Sequence, residues 1–155
     1  MAKAKNDIFN IDYVKLSGTA QAPTQGSAQA AGYDLHADLE GVPSIVIAPG
    51  EVRKISTGIA IALPEGTFGA VFSRSGMATK QGLAPANKVG VIDADYRGPV
   101  IVALRNESSE AQIVSHGERI AQLVVIPYLP VAFNEVKSIG TTARGSGGFG
   151  STGTN

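Results

Sequence analysis

An all-β sandwich or barrel is the architecture this chain predicts, and three features carry that reading. Nineteen glycines and eight prolines break its apolar residues into short runs instead of long periodic ones. Those runs alternate large with small or apolar with polar, the period of strands that cover a core with one face. Helix signals are nearly confined to a single heptapeptide.

Phe9 to Leu16 reads as the first strand, and Gln21 to Ala31, with Pro23, Gly26 and Ser27, as a polar connection. Tyr33-Asp34-Leu35-His36-Ala37 follows, then Ser44 to Ile47 closed by Pro49-Gly50, then Val52 to Ser56. Gly58 to Leu63 alternates large with small, and Pro64-Glu65-Gly66 turns it back. Thr67 to Ser73 sets Phe68, Ala70 and Phe72 on one side. Ser75 to Gln81 is the heptapeptide: Ser75 suits an N-cap, Met77, Ala78 and Lys80 favour helix, and Gly82 is a usual stop. Val100 to Leu104 and Ile120 to Ile126 are apolar on both faces, which predicts the middle of the core. After Pro130, Val131 to Val136 reads as one more strand. Gly140 to Asn155 holds six glycines and little that is apolar beyond Phe149. Such a tail is expected to be mobile in the free protein and, fully extended, to reach on the order of 50 Å, enough to cross onto a neighbouring subunit.

At 155 residues one domain is the simplest organisation, with a barrel over 1–138 and a glycine-rich arm over 139–155. Thirteen basic and thirteen acidic side chains cancel, so nothing supports a nucleic-acid partner or an anionic membrane surface. There is no cysteine, which excludes disulfides and thiolate chemistry, and the two histidines, His36 and His116, lie far apart. Residues 1–10 lack the pattern of a secretory signal, and no run is long enough to span a bilayer. A cytoplasmic protein is expected.

Five segments carry chemistry-bearing residues, and each has a plainer reading beside the functional one. Gly90-Val-Ile-Asp-Ala-Asp-Tyr-Arg-Gly98 places Asp93 and Asp95 on one face of an extended chain, and a bend would turn Asp93 and Tyr96 into one cavity. A solvated hairpin tip is the alternative. Ser73-Arg74-Ser75-Gly76 has the parts of a phosphate cradle, or of a capping serine beside an exposed arginine. Asp34, within Ala31 to Leu35, reads as a site carboxylate or as a turn or edge-strand charge. Gln122, set among apolar residues, needs hydrogen-bond partners from the protein or a ligand. Arg144 to Gly153 is a flexible linker, or a lid whose arginine forks onto phosphate and whose Phe149 stacks on a base.

In order and spacing these segments, Ala31-Gly-Tyr-Asp-Leu, Arg74-Ser-Gly, Gly90 to Gly98, Gly117-Glu-Arg-Ile-Ala-Gln-Leu and Arg144-Gly-Ser-Gly-Gly-Phe-Gly-Ser-Thr-Gly, resemble the five motifs of the homotrimeric dUTP pyrophosphatases. The resemblance spans about residues 20–153. It implies a jelly-roll-like β-barrel subunit in a threefold trimer whose active sites lie between subunits, each closed by a C-terminal arm. It implies hydrolysis of dUTP to dUMP and pyrophosphate with Mg²⁺, which keeps uracil out of DNA and supplies dUMP for dTMP synthesis.

By the same resemblance Asp93 orients and deprotonates the attacking water, a role that suits a carboxylate. Asp34 binds metal-bound water, as Mg²⁺ retains much of its hydration. Arg74, Ser75, Gly76, Gln122 and Arg144 hold the phosphates. Asn87, Val91, Ile92 and the hairpin to Ile101 read uracil, Tyr96 excludes a 2′-hydroxyl, and Gly148 and Phe149 close over the base. Ser73, where the family more often has proline, and Glu118, where aspartate is common, are minor departures that bear on turn geometry. Two alternatives remain open at this point: a dCTP deaminase-like enzyme, and a non-catalytic nucleotide-sensing trimer.

Overall fold

The computed structural model describes residues 9–148. Twelve strands and one short helix follow in order: β1 Asp12–Lys15, β2 Thr24–Gln25, β3 Tyr33–His36, β4 Ser44–Ile47, β5 Val52–Ser56, β6 Ile59–Ala62, β7 Thr67–Phe72, α1 Ser75–Gln81, β8 Leu83–Pro85, β9 Gly90–Ile92, β10 Ile101–Asn106, β11 Gln112–Ser115 and β12 Arg119–Pro127. They form antiparallel sheets of order β1-β6, β5-β10-β8, β11-β4 and β2-β3-β12-β7-β9. The all-β expectation with a single short helix holds. No helix among the described residues is long and apolar enough to cross a membrane.

Leu35, Ile47, Ile55, Ile59, Leu83, Leu104, Val114 and Ile120 form the buried centre that the sheets enclose. The five-stranded sheet positions the site, and its two faces differ. Leu123 pairs with Val71 and Val71 with Gly90, and this side enters the core. Gly69 lies on it: a Cβ there would stand 2.9 Å from Leu123 Cδ1 and 3.2 Å from Leu63 Cδ1, so only a bare backbone packs at this point. On the other face, Asp34, Gln122 and Phe72 lie side by side through the pairs Asp34–Gln122 and Gln122–Phe72. Phe68, Ala70 and Phe72 therefore do share one side, and it is the side away from the core cluster.

The register of β12 against β3 slips once. Arg119 pairs with His36 and Ala121 with Leu35, so Ile120 is an extra residue. Both Ile120 and Ala121 are buried. The bulge thus sends two consecutive side chains inward and returns Arg119 to the face that carries Asp34 and Gln122.

Three expectations are corrected. Val131 to Val136 does not form a strand: residues 128–139 are exposed and find no ladder partner among the described residues, and a strand is stable only against another strand. Ser75 is not the N-cap. Arg74 is, with extended backbone (φ −88°, ψ 130°) and no side-chain cap bond, because its carbonyl already accepts the Ala78 N–H at 2.9 Å and the helix starts one residue early. Gly82 stops the helix as expected, left-handed at φ 68°, with its N–H donating to the Met77 carbonyl. Finally, β10 has one covered face, not two: Val102, Leu104 and Asn106 are buried while Ile101 is half exposed.

Two polar pins hold the loops. Buried Asn106 donates Nδ2 to the Ile47 and Glu110 carbonyls at 2.9 and 2.7 Å and accepts from the Ser108 N–H and hydroxyl. Buried Asp38 accepts from the Ser17 hydroxyl and from Thr19 Oγ1 at 2.6 Å. Burial by itself would raise the Asp38 carboxyl, but these hydrogen bonds outweigh it and hold the group below its usual range.

Candidate active site

At one end of the outer face, Asp34 is flanked by two guanidiniums. Arg74 Nε lies 2.8 Å from its Oδ1 and Arg119 Nη1 3.1 Å from its Oδ2. Arg74 also donates to the Arg119 backbone carbonyl at 3.3 Å. The Asp34 side chain is nearly buried whereas the two arginines remain partly open, so the cluster offers guanidinium edges to solvent. Gln122 donates Nε2 to the Ser73 carbonyl at 2.9 Å, which fixes the turn ahead of Ser75 and Gly76. Gly32 makes room for that amide: a Cβ there would come within 2.4 Å of Gln122 Oε1. His36, next along the same face, is buried with Nδ1 unpartnered. Burial pushes its pKa below 6.5 against the raising pull of Asp34, and Arg119 and Arg74 add to the lowering.

The second half of the predicted site is the loop from Asn87 to Ile101. Lys88 is left-handed (φ 64°) and turns β8 into β9. The Tyr96 N–H donates to the Asp93 carbonyl at 3.1 Å, closing a turn straight after β9. Arg97 Nη1 braces that turn from outside, donating to the Ala94 and Tyr96 carbonyls at 2.6 and 2.9 Å. The turn opens a cavity of about 230 Å³ lined by Asn87, Val91, Ile92, Asp93, Tyr96 and Ile101, among others. Asp93 also borders a more open cavity of about 900 Å³ on the far side, with Phe68, Asp95, Arg97 and Tyr128. It therefore stands between two concavities, and Asp93 and Tyr96 do share one.

The two halves do not meet on one chain. Three strand spacings separate β3 from β9, and Ile92 pairs with Gly69, three residues along β7 from Phe72, which is level with Asp34. Ile92 and Asp34 are therefore on the order of 17 Å apart. Asp93 continues away from the end of the sheet where Arg74 stands. Neither cavity at Asp93 is lined by Asp34, Arg74, Ser75 or Gln122.

Arg144 and Gly148 line neither cavity at Asp93. Arg144 is exposed and, among the described residues, donates within its own turn to the Gly147 carbonyl at 3.0 Å, and Gly148 is exposed. Phe149 lies outside the described residues. Two residues at the site were not anticipated, Arg119 and Arg97. Both stand inside the quoted motifs, next to Glu118 and Tyr96, but neither a bulge nor a carbonyl-bracing guanidinium leaves a pattern in the sequence.

The chain is similar to known proteins over nearly its whole length. The dUTPase family model matches residues 19–153. The deoxyuridine 5′-triphosphate nucleotidohydrolase of Desulfitobacterium hafniense is 48% identical over 144 residues, covering 92% of this chain and 94% of that one. The protein of the same name from Corynebacterium glutamicum is 45% identical over 148 residues, covering 95% and 97%. Among solved structures, a variant of the Staphylococcus bacteriophage 80alpha dUTPase with dUpNHpp superposes with a TM-score of 0.84 at 27% identity, over 94% of this chain and 99% of that one. The dUTPase of the S. aureus phage phi11, described with a structural Mg(II) ion, shares the fold at a TM-score of 0.76 and 24% identity, covering 86% and 100%. With its motif residues laid out as above and its matched span covering most of its length, this chain belongs to the dUTPase family.

Proposed function

We propose that the chain is a dUTP diphosphatase that cleaves dUTP and water to dUMP and pyrophosphate. The observation that carries the reading is the cavity behind β9, where Asn87, Val91, Ile92, Tyr96 and Ile101 surround a pocket with Asp93 at its rim. Asn87 and the backbone of Val91 and Ile92 match the donor and acceptor edge of uracil, and the Tyr96 ring fills the space a ribose 2′-hydroxyl needs. Asp93 accepts a proton from water as its oxygen attacks the α-phosphorus. The bond from that phosphorus to the α,β-bridging oxygen breaks, and pyrophosphate leaves.

Arg74, Ser75, Gly76 and Gln122 hold the phosphate chain, and Arg144 clamps its end. The site fits Mg²⁺ of a particular kind. No cluster of three or more His, Cys, Asp or Glu occurs among the described residues, and each Asp34 oxygen already accepts from an arginine. Asp34 has lone pairs left for metal-bound water, not the geometry of a full ligand cage. Held there through its water by Asp34, Mg²⁺ would supply positive charge against the charge that develops on the phosphate oxygens.

A homotrimer reconciles these roles with the separation of the two halves, because Asp93 of one copy then faces the Asp34–Arg74 end of another. A large exposed apolar set supports it: Leu129, Val131, Phe133, Val136 and Ile139 are each more than half exposed, Phe133 completely. On this reading the β-sandwich forms a jelly-roll-like barrel over 1–138, and 139–155 is the arm that brings Arg144, Gly148 and Phe149 to the nucleotide. The test is pyrophosphate release with Mg²⁺ from dUTP beside UTP, dCTP and dTTP at equal concentration. Release from dUTP alone is expected. Ammonia from dCTP would indicate a deaminase, and silence from folded, trimeric protein a nucleotide sensor.

A further inference from the structure

Gly98 is not left-handed, unlike eight other glycines of the described chain, so its backbone would admit alanine. Its missing side chain serves something else. A Cβ on Gly98 would stand 2.4 Å from Tyr96 Oη, 2.6 Å from Cζ and 3.0 Å from Cε2. The ring lies across the glycine, and its hydroxyl donates to the Pro99 carbonyl at 3.2 Å. The ring is otherwise 44% exposed. An aromatic ring cannot bend at its tip, so any atom at that Cβ position turns the whole side chain about χ1 or χ2.

We propose that Gly98 is a positioning residue for sugar discrimination: the empty Cβ space seats Tyr96 against the cavity wall, and a side chain at 98 swings the ring away and admits a ribonucleotide. The proposal rests on the reading of Tyr96 as the residue that excludes a 2′-hydroxyl. It differs from a folding role because the strain falls on one exposed side chain and not on the backbone.

The experiment measures kcat/KM for dUTP and for UTP in the full-length protein, Gly98→Ala, Tyr96→Ala and the double variant, with circular dichroism as the check on folding. Gly98→Ala is expected to lower the dUTP-over-UTP preference by about tenfold, in the range that a single hydroxyl contributes. Tyr96→Ala should lower it at least as far, and the double variant should lower it no further than Tyr96→Ala. An unchanged preference in Gly98→Ala beside a collapsed one in Tyr96→Ala would overturn the proposal and leave the Tyr96 reading intact. A preference that survives Tyr96→Ala would remove that reading and the proposal with it. If Gly98→Ala fails to fold, the glycine serves the fold and not the seating of one exposed side chain, and the proposal is overturned.

Discussion

Arg119 reaches Asp34 across a β-bulge, with Nη1 3.1 Å from Oδ2, while Arg74 holds the other oxygen at 2.8 Å. Without Arg119 the carboxylate is free to fold onto Arg74 and compete with phosphate for it. Arg119→Ala should lower kcat/KM for dUTP by about tenfold with little change in Tm, since a half-exposed pair adds little stability. Arg119→Lys should recover only part, because an ammonium has no planar fork. Steady-state kinetics equal to the parent's would refute the role.

Gly32→Ala targets the same cluster from the opposite side. The new Cβ meets Gln122 Oε1, the end of a flexible side chain, so the fold yields easily while the bond from Nε2 to the Ser73 carbonyl breaks. The KM for dUTP should rise about threefold or more at an unchanged Tm.

Asp93→Asn removes the proton acceptor but keeps the shape of the cavity rim. Turnover should fall about a thousandfold or more, with dUpNHpp binding, measured by calorimetry, within a few-fold of the parent's. Near-normal pyrophosphate release would sink the assignment.

Removing residues after Ser138 should leave circular dichroism unchanged, because the strands end at Pro127, and should keep the association state, because Leu129, Val131, Phe133 and Val136 of the exposed apolar set precede the cut. The kcat/KM should drop on the order of a hundredfold through lost positioning of the phosphates. A fully active truncation would contradict the arm's role.

Asp38→Asn tests the pin outside the site. Hydrogen bonds from Ser17 and Thr19 lower the carboxyl's folded pKa below 3.8, so its stabilisation is fully present above 3.8 and lost as pH falls through the lower folded value. The variant should be less stable by about 1–3 kcal/mol at pH 7 in urea titrations. The gap should narrow only as the pH drops below about 4.

The paired strands are what the chain announces most clearly, because Tyr33–His36, Ile59–Ala62 and Thr67–Phe72 each alternate against turn residues. The helix stop was equally legible from Gly82 as a glycine, and the structure finds it left-handed. Val131 to Val136 misleads for a physical reason: composition reports a residue's fitness for a strand but not whether an edge is there to receive it. Arg119 escapes notice because simple alternation from Gln122 places it on the opposite face, and only the extra residue at Ile120 brings it back. The grouping of Asp93 with Tyr96 was readable from a bend between glycines, whereas the demand that the Tyr96 ring makes on Gly98 exists only in three dimensions.

The distance between Asp34 and the end of β9 also bears on inheritance. On the trimer reading proposed above, in which each site takes its two halves from two copies, an Asp93→Asn chain and an Arg74→Ala chain carry lesions of complementary kinds. Either alone has no intact site, yet a mixed assembly rebuilds some from the sound half of each. Two defective alleles in one cell would then restore part of the activity, about a quarter of the sites on random mixing, whereas a single defective allele beside a sound one would spoil half of the sites however the copies mix.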